Sequence, residues 1–122
     1  MPVMPGLTII VARSDPERFH AALSLAAANA ALDQRSRLFL QGEAVRLLGP
    51  TGTEGGERLD RLGAPTVAEL LEECLAMGVA ISVCQTGLAL AGMAADALPH
   101  GMTPAGLVEI LSTRGDDQLL MA

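Results

Sequence analysis

The stretch Val79-Ala80-Ile81-Ser82-Val83-Cys84-Gln85-Thr86-Gly87-Leu88-Ala89-Leu90-Ala91-Gly92 decides the fold. Residues 79–83 are apolar but for Ser82 and rich in β-branched side chains, the composition of a short buried strand. After Thr86 the residues are small or helix-favouring and open a tight helix. A strand that runs straight into a helix belongs to an open α/β sheet, which keeps its ligand crevice at the carboxyl ends of its strands. Cys84 stands at such an end. It also adjoins helix N-terminal N–H groups, which lack intrahelical acceptors and carry partial positive charge. A thiol placed there becomes more acidic than free cysteine, whose pKa is about 8.5, and the thiolate is the form that attacks sulfur or carbon.

Upstream, Thr66-Val67-Ala68-Glu69 is a capping box. It opens a helix with Val67, Leu70, Leu71, Cys74 and Leu75 inward, and Gly78 ends it. Leu7-Thr8-Ile9-Ile10-Val11-Ala12 is apolar enough for a central strand buried on both faces. Ser14-Asp15-Pro16-Glu17 reads as another helix start, in which Ser14 or Asp15 can cap, Pro16 suits the first turn and Glu17 stands three places after Ser14. Phe19, Ala22, Leu23, Ala26, Ala27 and Ala30 then recur at helical spacing to about Leu32. Arg37-Leu38-Phe39-Leu40 is a second strand, and the strand–helix–strand order implies a right-handed parallel crossover. Residues 42–48 suit a short helix, and residues 49–65, rich in Gly, Pro and charge, read as a mobile loop. Downstream, Thr103-Pro104 reads as the start of a long last helix to about Thr113, with Leu107, Val108 and Leu111 inward. Gln118-Leu119-Leu120-Met121 reads as a terminal edge strand. The expected architecture is α/β: one domain over residues 1–122, a three-layer sandwich around a mostly parallel sheet of four or five strands.

Hydrophobic residues make up 50% of the chain, yet aromatics only 2%, so the core must be built from Ala, Leu, Val, Ile and Met. A mean hydropathy of +0.39 in so small a domain points to further apolar surface hidden between subunits. The net charge of −6 disfavours nucleic acid and anionic membrane surfaces as partners. All basic residues are Arg; the absence of Lys excludes a Schiff-base lysine, a P-loop lysine and a Ser-Lys dyad. Two Cys and no basic region before the apolar residues of Met1–Gly6 suggest free thiols, no secretory signal and a cytoplasmic location. Cys74–Ala95 is 22 residues without a charge, long enough to span a bilayer. Its internal Gly78, Gln85, Thr86, Gly87 and Gly92 fit a helix end, a strand and a small-residue helix better, so no membrane span is expected.

Two readings compete for Cys84: a small buried hydrophobe, or a nucleophile. The polar Gln85-Thr86-Gly87 that follows favours the second. Cys74 shares a helical stripe with Leu70, Leu71 and Leu75 and reads as core. No C-x-x-C spacing links the two. A phosphatase or rhodanese-type loop would need Arg at the sixth place after the cysteine, where Leu90 stands. His20 and His100 are isolated, reading as an exposed helix residue and a turn residue, so no metal is expected. Gly49–Gly56 is not followed by Lys-Ser/Thr, so no nucleotide loop and no cofactor is expected. Arg13 follows the first strand and emerges on the sheet edge of Cys84. If the two strands are neighbours, its guanidinium can stabilise a thiolate or persulfide; otherwise it is a solvated surface residue. Gln41, Gly42 and Glu43 follow the second strand and either reach the crevice or form a helix-start turn.

The α/β order, Phe39-Leu40-Gln41-Gly42-Glu43-Ala44-Val45 and Gly78-Val79…Cys84-Gln85-Thr86-Gly87 together resemble the DsrE/DsrF-like family. The resemblance runs from the first strand to Gly115-Asp116-Asp117-Gln118-Leu119-Leu120. It implies a sulfur-relay protein that carries sulfane sulfur as a persulfide in sulfur oxidation or tRNA thiolation. The sulfur-bearing cysteine of the family matches Cys84. Gln85, Thr86 and Gly87 would hold the persulfide, with Arg13, Gln41 and Gly42 lining the crevice. Implied partners are sulfur-carrier proteins of the TusA or rhodanese type, and the implied assembly is a homo-oligomer, trimer or hexamer. The alternatives are a noncatalytic assembly subunit and a small-anion or nucleotide sensor.

Overall fold

The computed structural model describes residues 5–122; Met1–Met4, part of the segment read above as lacking a signal, lie outside them. Five strands form one sheet in the order β4-β3-β2-β1-β5. They are β1 (Leu7–Val11), β2 (Ser36–Leu40), β3 (Ala80–Cys84), β4 (Met102–Ala105) and β5 (Gln118–Met121). Every pairing is parallel. The chain steps from β1 outward to β4 and then returns across the sheet to β5, which leaves β4 and β5 at the edges.

Helix α1 (Pro16–Ala31) buries Phe19, Ala22, Leu23, Ala26 and Ala27, as their spacing requires. Of the two candidate caps it uses Asp15, whose carboxylate accepts from the N–H groups of Glu17 and Arg18. Pro16 explains the choice, because proline suits the first helical position and so makes the residue before it the cap. Helix α3 (Val67–Ala76) opens with both halves of the Thr66–Glu69 capping box in place. After it Gly78 takes φ +85°, a conformation that admits glycine readily and turns the chain into β3.

Strand alternation sends Ile9, Val11, Leu38, Leu40, Ile81 and Val83 to one face, where they meet Phe19, Leu23, Leu70 and Cys74 in the main core. Each large side chain fully buried there contributes about 1.5–3 kcal/mol. Ile10, Phe39 and Ala105 point the other way and meet Ile110 of α5 (Leu107–Ser112). The layers are therefore unequal. One face carries α1 and α3, while the other is covered by a helix of 6 residues. Apolar side chains consequently remain on that side, with Val108 82% and Leu111 46% exposed.

Two expected elements are corrected. Thr103-Pro104 does not start a helix but lies in β4, where Pro104 pairs with Val83. An edge strand tolerates proline because its outward side has no ladder to break. The last helix begins only at Leu107, and its fully buried residue is Ile110 rather than Leu107, Val108 or Leu111. Residues 49–65 are not a bare loop either. Pro50–Thr53 forms a 3₁₀ turn and Gly56–Arg61 forms helix α2. Helix α2 buries no residue fully, so the sequence carried no core-facing stripe to announce it.

The terminal strand is held by a polar knot at the amino end of the sheet. Asp117, buried, accepts a hydrogen bond from Thr8 Oγ1 at 2.7 Å and pairs with Arg35 at 2.7 Å and Arg37 at 3.5 Å. Arg37 also donates to the Ile110 carbonyl at 3.0 Å, which ties α5 to the same knot.

Candidate functional site

Cys84 is the last residue of β3 and the N-cap of α4 (Gln85–Leu90). Its position is set by strand register. β2 and β3 pair with Leu38 beside Ile81 and Leu40 beside Val83, so the turn that follows β2 arrives beside Cys84. That turn begins at Gly42, whose φ of +57° is easily reached only by glycine, and continues as the 3₁₀ helix Gly42–Leu48. On the other side β4 pairs with β3 so that Ala105 lies opposite Cys84.

Gly87 brings the two turns together. A Cβ at that position would sit 2.5 Å from the Gly42 carbonyl oxygen and 2.5 Å from Val45 Cγ2. Only glycine lets α4 lie this close to the turn after β2. The result is a small nest of backbone N–H groups around one sulfur. The Gly87 N–H donates to Cys84 Sγ at 3.4 Å. Partial burial pushes the thiol up, but the nearby backbone N–H groups of Gly42, Gly87 and Thr86 outweigh it and hold the Cys84 pKa below that of an ordinary thiol. The side chain is half-buried, packed between the main core and the smaller Ile10–Phe39–Ala105–Ile110 cluster.

Cys74 has the opposite surroundings. It is fully buried on α3, its S–H donates to the Leu23 carbonyl at 3.3 Å, and burial, with a smaller push from Glu73, raises its pKa to about 11. The Cys84 thiol is thus acidified and half-exposed, while the Cys74 thiol is sealed in the core.

The remaining candidates separate into those the fold gathers and those it does not. Gln41, Gly42, Thr86 and Gly87 all lie on the two turns flanking Cys84, and Gln85 follows it with an exposed side chain. Arg13 does not join them. β2 stands between β1 and β3, so the condition of neighbouring strands fails: the strand that Arg13 follows lies two strand spacings, about 10 Å, to the side. Arg13 is exposed and is not among the groups that set the acidity of Cys84. His20 is half-buried, with Nε2 2.8 Å from the Pro65 carbonyl oxygen, and His100 is exposed in the turn before β4. Among the described residues no group of His, Cys, Asp and Glu converges as a metal site, and no helix is long and apolar enough to cross a membrane. The sequence reading missed Ala105 and the entry to α5 as neighbours of Cys84, because it folded Thr103–Leu107 into a helix. The signal was Gly106, which breaks a helix there and follows a proline better suited to an edge.

Comparison with known proteins agrees with this architecture. The crystal structure of the YchN protein from E. coli superposes with a TM-score of 0.69 at 23% identity, covering 98% of this chain and 100% of that one. That likeness is one of fold. No curated protein matches the chain in sequence. The model of the DsrE/DsrF-like family matches residues 6–114, nearly the whole chain from β1 to the turn before β5, and the protein therefore belongs to the DsrE/DsrF-like family.

Proposed function

We propose that the protein is a sulfur carrier that holds sulfane sulfur on Cys84 and exchanges it with the thiols of partner proteins. The observation that supports this most directly is the half-buried Cys84 thiol, made acidic by backbone N–H groups alone. The DsrE/DsrF-like family is associated with sulfur relay, which gives such a thiol a substrate class. In the first step the Cys84 thiolate attacks the outer sulfur of a donor persulfide. The donor S–S bond breaks, the donor leaves as a thiolate, and Cys84 becomes the persulfide. In the second step the thiolate of an acceptor attacks the outer sulfur, and Cys84 leaves as the thiolate it began as. Sulfur moves without net oxidation.

The same nest serves both states. The N–H groups of Gly42, Thr86 and Gly87 stabilise the leaving thiolate, and those at the start of α4 face a terminal sulfur anion. Gln85 and Gln41 border the path by which the second thiol enters. Partners of the TusA or rhodanese type fit this exchange, in the cytoplasm, where thiols stay reduced. The bared side of α5 and β5 suits contacts between copies, in keeping with a homo-oligomer such as a trimer or hexamer.

Mass spectrometry after exposure to polysulfide or a protein persulfide tests the proposal. A mass increase of about 32 Da, one sulfur atom, is expected on Cys84 and removable by dithiothreitol. Cys84→Ser should abolish it, and Cys74→Ser should leave it unchanged. A native chain that stays unmodified with each donor would overturn the reading.

A further inference from the structure

A second feature lies apart from the thiol, on the outer face of the main layer. A cavity of about 680 Å³ opens between the first turn of α1, helix α2 and the start of α3. It sits toward the carboxyl edge of the sheet, since α1 leaves β1 there and α3 starts there before running back to β3. Its apolar wall comprises Leu59, Leu62 and Val67. Two of these are incompletely covered: Leu59 is half-buried, and Leu62 is 70% exposed. Helix α2 has 6 residues and buries none of them fully. A helix that short is marginal without packing, so its leucines are poised to gain from an apolar occupant.

The rim says what kind of occupant. Asp15, Glu17 and Glu54 line the cavity against a single Arg58. Asp15 is engaged, capping α1 and pairing with Arg18 at 3.6 Å. Glu17 and Glu54 have no ion pair or side-chain hydrogen bond among the described residues. An apolar wall beneath uncommitted carboxylates complements leucine-like side chains flanked by Arg or Lys. A second copy of this chain fits the rim poorly, because it brings a net charge of −6 and no Lys.

We propose that this groove docks a polypeptide segment of a partner protein that carries basic and large aliphatic side chains together. The groove neither contains Cys84 nor depends on its chemistry.

Fluorescence polarisation with a labelled peptide amide of sequence Leu-Arg-Leu-Leu-Arg-Leu, against its Leu-Glu-Leu-Leu-Glu-Leu counterpart, tests the proposal on the full chain. The basic peptide should bind saturably and the acidic one at least about tenfold more weakly. Glu17→Gln with Glu54→Gln should weaken the basic peptide about three- to tenfold, as for two exposed ion pairs. Leu62→Ser, an exposed position that leaves the fold intact by its melting temperature, should weaken it about threefold or more. Cys84→Ser should leave the affinity unchanged, and the two Glu variants should leave Cys84 alkylation unchanged, so failure here is separate from failure of the sulfur reading. No binding, equal binding of the two peptides, or affinity that both sets of variants leave unmoved would each overturn the proposal. So would a Leu62→Ser chain that dissociates on sedimentation, since the groove would then be an interface between copies.

Discussion

Gly42 and Cys84, 42 positions apart in the chain, meet because β2 and β3 pair in parallel and end level with one another. The backbone N–H of Gly42 then adds to those of Thr86 and Gly87 in lowering the pKa of the Cys84 thiol. No side-chain charge takes part. A nest of peptide dipoles differs from an ion pair in two ways: its geometry is fixed by the fold, and salt screens it little.

The first consequence is a pH profile. Because the folded pKa is depressed, a larger share of Cys84 should be thiolate at any given pH than of free cysteine, which is only a few per cent ionised near neutral pH. Iodoacetamide alkylation followed by mass spectrometry should show a midpoint below about 8.5 for Cys84 in the native protein. The midpoint should return to that value in guanidinium chloride. Cys74 should stay unmodified until the protein unfolds. Raising salt from about 0.05 to 0.5 M should change the native Cys84 rate less than about twofold, because no ion pair is there to be screened. A midpoint at or above that of free cysteine would refute the dipole argument.

The second consequence concerns glycine. Gly87→Ala forces a methyl group against the Gly42 carbonyl and Val45, and should cost about 1–3 kcal/mol as an overpacked contact. It should also raise the Cys84 pKa by parting α4 from the turn after β2. Gly42→Ala should cost about 1–2 kcal/mol through its positive φ and likewise disturb the thiol. Gly92→Ala is the control. Its φ of +68° imposes similar strain, but a Cβ there meets nothing within 4 Å. It should lose comparable stability in urea while leaving the Cys84 titration in place. Equal thiol shifts in all three would mean that general destabilisation, not the nest, sets the acidity.

The parts of the fold that the sequence announced are those with local signals. Thr66 and Glu69 carry both halves of a cap, Phe19 to Ala27 carry a helical stripe, and Leu7–Val11 is apolar but for Thr8. Cys84 was legible for the same reason, since strand, cysteine, small residues and helix follow one another directly. Elements without such signals were misread. β4 contains Thr-Pro, which mimics a helix start, and α2 has no buried face to generate periodicity. Strand order is not a local property at all. Nothing near Arg13 reveals that β2 lies between it and Cys84, or that Asp117 will reach Thr8 across 109 positions.

That last contact yields a prediction about acid. Asp117 is partly desolvated, which raises its pKa, but Arg35, Thr8 and Arg37 more than compensate and hold it below the ordinary carboxylate value. A carboxylate whose folded pKa lies below its unfolded value of about 3.9 contributes fully above that pH. Its contribution is lost as pH falls through the folded value. Asp117→Asn should therefore cost about 2 kcal/mol at pH 7, by the loss of charge-assisted hydrogen bonds. The gap between native and variant should close as the pH is lowered below about 4. Urea melts of both proteins at pH 7 and pH 3 measure this; a gap that stays constant would show that Asp117 acts by shape rather than by charge.

The exposed side chains on α5 lead to a prediction about assembly. Val108 and Leu111 lie one helical turn apart and are 82% and 46% exposed, beside an edge strand whose Met121 is 63% exposed. Among the described residues their short helix is what covers that sheet face, so an apolar surface remains that another copy could bury. Replacing both Val108 and Leu111 by Arg puts two like charges into any symmetric contact there. The substitutions touch no residue of the main core, so far-UV circular dichroism and the Cys84 alkylation rate should hold. Sedimentation velocity should show the native chain as an oligomer and the double variant shifted to a smaller species. A dissociation constant raised by at least about a hundredfold is expected, since each buried anchor in such a contact is worth more than about 1 kcal/mol and buried unpaired charge adds to the loss. An assembly that survives both arginines must be built on some other face.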